Sequence, residues 1–314
     1  MKYGFGVDVG GTTCKLGFFA EGGALLEKWE IHTDTRDNGS RIPVDIAAAI
    51  ENKLQERGIG KADVLGVGVG VPGPVLDDGT VKRCVNLGWG VINISQILGD
   101  LLQLPVKAGN DADVAALGEM WLGGGKGYEN VVMVTLGTGV GGGIVLGGRI
   151  LSGTNGAAGE IGHLKVNETE TEVCGCGNCG CLEQYASATG IVRMAKKRLA
   201  EDDTPTVLRN VDNLTAKDVA DAAKAGDAVA LGQMEQLGRI LGTAMANVAC
   251  VVDPQIIVIG GGVSRAGQIL IDAVERHFRK RAFHACADTR FALATLGNDA
   301  GIYGCMKMVS DMKG

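Results

Sequence analysis

The sequence predicts an α/β protein that contains two similar β-rich cores. Two segments, each a strand, a glycine turn and a return strand, support this prediction, and they align with Gly10 on Gly137, 127 residues apart. One such segment could be an ordinary hairpin, but its recurrence favours two related cores. The C-terminal part adds long Ala, Leu and Val patterns at helical spacing.

Each element follows from its local pattern. Strands are expected where short apolar runs end at Gly, Pro, Asn or Asp, over residues 2–9, 15–20, 24–32, 64–71, 105–109, 130–136, 144–146, 256–259 and 291–296. Helices are expected over 45–57, 111–122, 186–199, 215–225, 228–250, 265–280 and 299–312. Ser264 is the expected N-cap of the helix that ends near residue 280.

Composition excludes several classes of protein. The 314 residues are 46% hydrophobic and 21% charged, and the 51 glycines with only 6 prolines show no collagen period. A net charge of −6 without a long basic block argues against nucleic acid as a partner. No apolar run is long enough to span a membrane, and Asp8 interrupts any signal peptide, so a cytoplasmic protein is expected.

Two glycine patterns look like nucleotide motifs but lack the right context. Residues 68–73 and 137–142 both fit G-x-G-x-x-G, yet neither is followed by a predicted helix, as a dinucleotide site requires. The P-loop pattern is also absent, since Gly127 follows Lys126. A nicotinamide enzyme is therefore not favoured.

The remaining glycine turns are rich in threonine and suit a phosphate group. Glycine turns expose backbone N–H groups and let a phosphate approach closely, while threonine hydroxyls add donors. Two such turns and a third glycine cluster together indicate a nucleoside triphosphate site; their residues are Gly10, Gly11, Thr12, Thr13, Gly137, Thr138, Gly139 and Gly260 to Gly262.

The cysteines point to a metal rather than to disulfides. Nine cysteines are an odd number, and four of them, Cys174, Cys176, Cys179 and Cys181, fall within eight residues. Soft thiolates at this spacing favour zinc. From the spacing alone the expected site has four cysteine ligands.

Several of these segments resemble a known family. DVGGTTCK (8–15), TLGTGVGGG (135–143) and IGGGVS (259–264) resemble the two phosphate segments and the adenosine segment of the actin/hexokinase superfamily. EIGHLKV (160–166) followed by CGCGNCGCLEQYAS (174–187) resembles the signature of the ROK family of sugar kinases and repressors. The likeness extends over nearly the whole chain.

The resemblance implies a two-lobed actin/hexokinase-like (ribonuclease H-like) α/β fold with a cleft between the lobes and a structural zinc site. Residues 1–110 with 300–314 would form the small lobe, and residues 111–299 the large lobe with the zinc loop. The family is commonly dimeric, so a homodimer is expected.

The resemblance also implies a different set of zinc ligands. The family pattern maps onto Cys174, Cys176 and Cys181, with His163 as the fourth ligand. Cys179 then occupies a variable position and could replace or compete with one of them.

Catalytic and binding roles follow from the same resemblance. Asp111 would take the proton from the sugar 6-hydroxyl, Asp8 would hold Mg²⁺, and Gly261 and Gly262 would contact ATP. The implied sugar contacts are Asn86, Asn110, Asp111, Glu160, His163 and Glu183. The residue types alone leave other roles open: Asp111 as a helix N-cap, Asp8 as a turn residue and Glu183 as a partner of the zinc loop only.

The implied function is an ATP-dependent glucokinase, a phosphotransferase with an alcohol acceptor, which uses ATP, Mg²⁺ and a structural Zn²⁺. Asn86-Leu87-Gly88-Trp89 resembles the stretch typical of ROK glucokinases. Alternatives are an N-acetylmannosamine kinase, a fructokinase or, less favoured, a sugar-binding transcriptional regulator. The donor, ATP or polyphosphate, stays open.

Overall fold

The computed structural model describes residues 1–312, and the predicted α/β class is confirmed. The strands are β1 Tyr3–Val9, β2 Thr13–Ala20, β3 Leu25–His32, β4 Val64–Val71, β5 Thr80–Val81, β6 Ile92–Asn93, β7 Val106–Asn110, β8 Val131–Leu136, β9 Val140–Leu146, β10 Arg149–Ile150, β11 Ile256–Gly260 and β12 Arg290–Leu293.

Helices follow or connect these strands. They are α1 Arg36–Gly39, α2 Ile42–Arg57, α3 Ile94–Leu102, α4 Asp111–Leu122, α5 Glu183–Ala186, α6 Ala188–Glu201, α7 Ala216–Lys224, α8 Ala228–Val252, α9 Gln268–Arg279 and α10 Ala300–Asp311. Among the described residues, no helix is both long and apolar enough to cross a membrane.

Two five-stranded sheets give the fold its two cores. The first has the order β3-β2-β1-β4-β7, and the second has the order β10-β9-β8-β11-β12. In the first sheet, β1 pairs antiparallel with β2 and parallel with β4. In the second, β11 pairs parallel with both β8 and β12. The repeated strand–glycine–strand device thus lies in both sheets.

The chain divides into two compact units. One comprises Met1–Glu129, Gly143–Gly159 and the chain from Leu296 onward; the other comprises Asn130–Gly142 and Glu160–Thr295. The predicted lobes, 1–110 with 300–314 and 111–299, stay a prediction, since compactness alone does not define a lobe.

Strand alternation builds the core of the first unit. Because successive side chains of a strand point to opposite faces, Phe5, Val7 and Val9 of β1 share one face. They are buried in one cluster with Ile46 and Ile50 of α2. This face gives the first sheet its apolar support.

The opposite face of the same sheet is lined with glycine and receives α10. A Cβ atom at Gly6 of β1 would lie 2.1 Å from the carbonyl oxygen of Ile302, and one at Gly68 of β4 would lie 1.9 Å from that of Cys305. Only glycine lets the helix backbone come this close. The Val-Gly alternation of β4 therefore encodes an apolar face and a helix-docking face.

Some predicted boundaries are wrong, and two of them have a clear local reason. Ser264 does not cap α9, because residues Gly262–Ala266 form a 3₁₀ helix and Gly267 (φ 77°) precedes α9. The return strand starts at Val140 rather than 144, since Gly141 to Gly143 are extended.

The helix expected over 186–199 is interrupted. Ser187 adopts an extended conformation, and its hydroxyl accepts a hydrogen bond from the Gly190 N–H as the N-cap of α6. The chain there forms α5 and α6, so the short α5 stays attached to the cysteine loop.

Candidate active site

The first glycine turn joins β1 to β2 in the first unit. The Gly10 N–H donates to the Thr13 carbonyl at 3.0 Å, and the Thr33 hydroxyl donates to the Gly10 carbonyl at 2.8 Å. Gly11 and Thr12 are exposed at the tip. The turn is therefore held from behind while its tip is open to a ligand.

Asp8 lies near the end of β1, beside this turn. Burial raises the pKa of its carboxyl from 3.8 to about 6; the positive charge of Lys15 opposes this shift and the negative charge of Asp111 adds to it. A Cβ at Gly301 of α10 would lie 2.9 Å from the Asp8 carboxyl carbon, so the helix packs directly against the carboxylate. A desolvated carboxylate of this kind gains from a bound cation.

The first prediction concerns the stability of the unliganded protein. In the folded state Asp8 keeps its proton to a higher pH than in the unfolded state, so its ionisation costs stability as pH rises from 3.8 to about 6, and the full cost remains above that. Asp8→Asn should raise the free energy of unfolding by up to about 3 kcal/mol at pH 8, and by almost nothing at pH 4. Urea unfolding without Mg²⁺ or nucleotide measures this. The surface variant Asp100→Asn serves as control, and an Asp8→Asn protein no more stable than wild type at pH 8 would contradict the expectation.

Asn110 and Asp111 stand where β7 meets α4. The N-cap is Asn110, whose side-chain oxygen accepts from the N–H groups of Ala112 (2.9 Å) and Asp113 (3.2 Å). Asp111 is the first residue of the helix, and it is exposed. The capping role considered for Asp111 thus belongs to its neighbour.

The Asn110 amide is also engaged on its other side, because its nitrogen donates to the Gly73 carbonyl at 3.0 Å. A sugar hydroxyl would have to share one of these polar atoms. Asn86 lies on a 3₁₀ helix of the same unit with its side chain exposed. Its backbone oxygen would be 3.9 Å from a Cβ at Gly11, which places it beside the first turn.

In the second unit, the turn from Gly137 to Gly139 joins β8 to β9. The Ala188 N–H donates to the Gly137 carbonyl at 2.8 Å, and the Thr189 hydroxyl donates to the Thr138 carbonyl at 2.9 Å. The start of α6 therefore holds this turn. A strand and not a helix follows this turn, as the sequence predicts.

Gly261 supports the second turn from beneath. Its φ is +83°, and a Cβ there would lie 2.5 Å from the Leu136 carbonyl oxygen. Gly262 begins the 3₁₀ helix that follows, and nothing lies within 4 Å of a Cβ built on it. This glycine pair thus combines a close backbone contact with an open position.

Glu183 connects the second turn to the cysteine loop. One carboxylate oxygen accepts from the Val140 N–H at 3.2 Å, and the other accepts from the Cys174 thiol at 3.2 Å. A Cβ at Gly139 would lie 2.3 Å from this carboxylate. Glu183 is therefore a partner of the cysteine loop, which was one of the roles its residue type left open. It also faces the glycine turn.

Four side chains converge in a candidate metal centre, and their ligand atoms all lie within 4.8 Å of one another: His163, Cys174, Cys176 and Cys181. Cys176 and Cys181 have their sulfurs 3.6 Å apart, and the Cys174 sulfur is 3.9 Å from His163 Nδ1. Cys179 is outside the group, with its sulfur 3.7 Å from the Thr171 carbonyl oxygen. The geometry favours three cysteines and a histidine over four cysteines.

The thiols of this centre titrate unequally. Burial raises the pKa of Cys174 to about 12 and also raises that of Cys181, while the Asn178 backbone N–H lowers the pKa of Cys176. A metal ion must therefore displace protons from at least two buried thiols.

His163 has a second polar edge. While Nδ1 faces Cys174, Nε2 lies 3.9 Å from a carboxylate oxygen of Glu160. Both residues are exposed on that side. The ring can thus bind a metal through one nitrogen and leave the other for a further contact.

Sequence reasoning missed Gln184. Its side-chain oxygen accepts from the N–H groups of Gly180 (2.8 Å) and Cys181 (3.0 Å), which closes the end of the cysteine loop. The available signal was its position three residues after the last cysteine, at the first turn of α5.

Comparison with known proteins agrees with this arrangement. The profile of the ROK family matches residues 4–312. The chain is 46% identical to a glucokinase of Halalkalibacterium halodurans, over 95% of this chain and 92% of the relative. It is 34% identical to a glucokinase of Thermotoga maritima, over 98% of each chain.

Solved structures give the same result. A ROK family glucokinase from Streptomyces griseus, in complex with glucose and AMPPNP, has a TM-score of 0.75 at 35% identity, over 98% of both chains. A ROK hexokinase from Thermus thermophilus has a TM-score of 0.79 at 31% identity, over 99% of this chain and 98% of the other. With its two sheets, its glycine turns and its cysteine loop, the chain belongs to the ROK family.

Proposed function

We propose that this chain is an ATP-dependent glucokinase that transfers a phosphoryl group to the 6-hydroxyl of glucose. The observation that carries the reaction class is the glycine turn between β1 and β2, which is held from behind by Thr33 and exposed at Gly11 and Thr12. The choice of glucose is supported by two relatives called glucokinase, at 46% and 34% identity.

Asp111 is the proposed general base. Phosphoryl transfer needs little covalent help from the protein, so a positioned carboxylate that accepts the hydroxyl proton is the main chemical contribution. Asn110 supports this role, because it caps α4 and leaves the Asp111 side chain at the exposed first position.

The glycine turns are the proposed nucleotide contacts. Backbone N–H groups and hydroxyls at Gly10, Gly11, Thr12 and Thr13, and at Gly137, Thr138 and Gly139, would hold the phosphates, with Gly261 and Gly262 next to the adenosine. Asp8 fits a cation, since its burial disfavours the charge that a cation would stabilise. Mg²⁺ held by Asp8, directly or through water, would neutralise charge on the phosphates.

The proposed glucose contacts are polar side chains: Asn86, Asn110, Asp111, Glu160, His163 and Glu183. Carboxylates and amides suit vicinal hydroxyls because they accept and donate in pairs. The free edge of His163 and its neighbour Glu160 support this assignment in the second unit.

Zinc is the proposed metal of the cysteine centre. Tetrahedral bonds of 2.3 Å to sulfur place two ligating sulfurs about 3.8 Å apart, close to the 3.6 Å between Cys176 and Cys181. Four protein ligands close the coordination sphere, so the zinc would be structural. It would hold His163 and the cysteine loop in fixed orientations.

Variants of two cysteines give the second prediction. Cys181→Ser should lose bound zinc, because it removes a ligand, whereas Cys179→Ser should keep about one zinc per chain. Metal analysis of the purified proteins measures this. Zinc lost from Cys179→Ser but kept by His163→Ala would instead support a four-cysteine site.

A panel of acceptors and donors tests the proposed function. A coupled assay with glucose, fructose, N-acetylmannosamine and N-acetylgalactosamine, and with ATP or polyphosphate as donor, should give its highest kcat/KM for glucose and ATP. N-acetylgalactosamine belongs in the panel because a kinase so named from Shewanella is 34% identical over 96% of this chain. A higher kcat/KM on any other sugar would overturn the choice of glucose.

We also propose that the protein is cytoplasmic and that it forms a homodimer. Light scattering of the purified chain measures the second. A mass that stays at one chain across the micromolar range would reject the homodimer.

A further inference from the structure

Arg193 of α6 lies at the centre of a polar cluster. This cluster contains none of the phosphate-turn residues and none of the proposed metal ligands. One terminal nitrogen of the Arg193 guanidinium donates to a Glu172 carboxylate oxygen at 2.6 Å. The other donates to Glu170 at 3.0 Å and to the Gln184 carbonyl at 3.1 Å. The side chain is 28% exposed, so these bonds are partly shielded from water.

The partners of Arg193 flank the cysteine loop on both sides. Glu170 and Glu172 precede Cys174, and Gln184 follows Cys181. A planar guanidinium can hold two acceptors in fixed directions at once, which a lysine ammonium does not. Arg193 therefore ties the entry of the loop to its exit.

Tyr185 strengthens the tie on the entry side. Its hydroxyl donates to Glu170 at 2.5 Å, and the Arg193 guanidinium lies over its ring at 5.0 Å. The Asn167 amide donates to the same hydroxyl at 2.8 Å. Glu170 is thus held by two donors from α5 and α6, and the segment before the cysteines is fixed to these helices.

Gln184 carries the tie into the metal centre itself. Its side-chain oxygen accepts from the N–H groups of Gly180 and Cys181, and its side-chain nitrogen donates to the Glu172 carbonyl at 2.9 Å. Its neighbour Glu183 binds the Cys174 thiol and the Val140 N–H. Movement of Gln184 would therefore move a metal ligand and the proposed sugar carboxylate together.

We propose that Arg193 is a positioning residue that clamps the two ends of the cysteine loop, and that it sets both metal retention and the orientation of Glu183. This inference rests on the proposed zinc centre and glucokinase function. Arg193 donates hydrogen bonds to Glu170, Glu172 and the Gln184 carbonyl, and it would act through these residues rather than as a metal ligand or a sugar contact.

Zinc release to a coloured chelator tests the clamp directly. Arg193→Ala should release zinc about tenfold faster than wild type, because weakened support around metal ligands commonly lowers metal affinity by about 10- to 100-fold. The KM for glucose should rise by a larger factor than kcat falls, because Glu183 loses its orientation while Asp111 keeps its place. Arg193→Lys should recover only part of both effects, since it can hold one carboxylate but not both.

Arg198→Ala is the matched control. Arg198 lies on the same helix, is 29% exposed, and pairs with Asp202 at 2.9 Å, away from the cysteine loop. It should match wild type in zinc release and in KM. If Arg193→Ala also releases zinc at the wild-type rate, the clamp is rejected.

Two further results distinguish a failure of the clamp from a failure of the zinc and glucokinase proposals. If Arg193→Ala does not fold, Glu172→Gln decides: Glu172 is 61% exposed, and its loss should still speed zinc release, whereas an unchanged rate rejects the clamp. Wild-type protein without zinc, or without glucokinase activity, would reject the underlying proposals. Zinc-loaded, active wild type with an unaltered Arg193→Ala rejects the clamp alone.

Discussion

Replacement of Asp111 by Asn is expected to lower kcat for glucose by about a thousandfold and to change glucose binding little. The amide keeps the size of the carboxylate and can still accept a hydrogen bond, but it cannot take the proton of the attacking hydroxyl. General acid–base catalysis contributes about 10²- to 10⁴-fold to the rates of enzymes. Steady-state kinetics with glucose and ATP measures kcat, and calorimetry measures glucose binding.

The fold of the Asp111→Asn protein should be unaffected. Asn110 caps α4, Asp111 is exposed, and an asparagine oxygen can still accept the hydrogen bond that the Ala112 N–H donates to Asp111 at 2.8 Å. Asp100→Asn, which also removes one exposed carboxylate from the first unit, should retain wild-type kcat. A kcat of Asp111→Asn within tenfold of wild type would reject Asp111 as the base.

The same variant should alter Asp8. The charge of Asp111 raises the pKa of Asp8, so its removal should lower that pKa below about 6. Asp8→Asn and Asp111→Asn would then be non-additive in their effect on stability at neutral pH, as expected of two charges that interact.

The sequence predicted elements best where one local pattern decides. The strands around Gly10 and Gly137 were predictable because apolar runs and glycine turns alternate there. The strand after Gly139 starts earlier than predicted, because glycines 141 to 143 carry no side chains that reveal a strand. Ser264 has the chemistry of an N-cap, yet the positive φ of Gly267 starts the helix later.

Contacts between residues far apart in sequence were not predictable. His163 was predicted as a metal ligand only from the family resemblance, because the cysteine spacing alone indicated Cys179 as the fourth ligand. Arg193 looks like any charged residue of an amphipathic helix, and its carboxylate partners lie 21 and 23 residues away. Such a network needs the folded arrangement of α5, α6 and the loop before it can be seen.

The packing role of many glycines was also not predictable from the sequence. From the sequence, the glycine runs suggest places where backbone approaches a ligand. In the structure, another group of glycines accepts α10 against β1, β4 and α4. Nothing in the sequence near Gly68 indicates that Cys305, more than 200 residues later, will contact it.

Gly304→Ala is expected to destabilise the protein strongly. A Cβ at Gly304 of α10 would lie 1.6 Å from the Val114 carbonyl oxygen and 3.0 Å from the Gly118 nitrogen of α4. In turn, a Cβ at Gly118 would lie 2.2 Å from the Ala300 carbonyl oxygen. Both atoms met by Gly304 are backbone, so the two helices must separate, and the free energy of unfolding should fall by at least about 3 kcal/mol.

Gly232→Ala in α8 provides the matched control. It is the same substitution inside a helix, but nothing lies within 4 Å of the added Cβ. Alanine is favoured over glycine in a helix by about 1 kcal/mol, so Gly232→Ala should be slightly stabilising. The two variants should thus differ in sign, and urea unfolding followed by circular dichroism measures both.

Gly304→Ala should also lower kcat, because the displaced helices α4 and α10 position Asp111 and Asp8. Asp111 begins α4, and Gly301 of α10 packs against Asp8. A shift of about 1 Å in such groups can cost a hundredfold in rate. A Gly304→Ala protein with wild-type stability and kcat would show that the helices adjust without loss, and the close glycine contact would then have no role in placing Asp8 and Asp111.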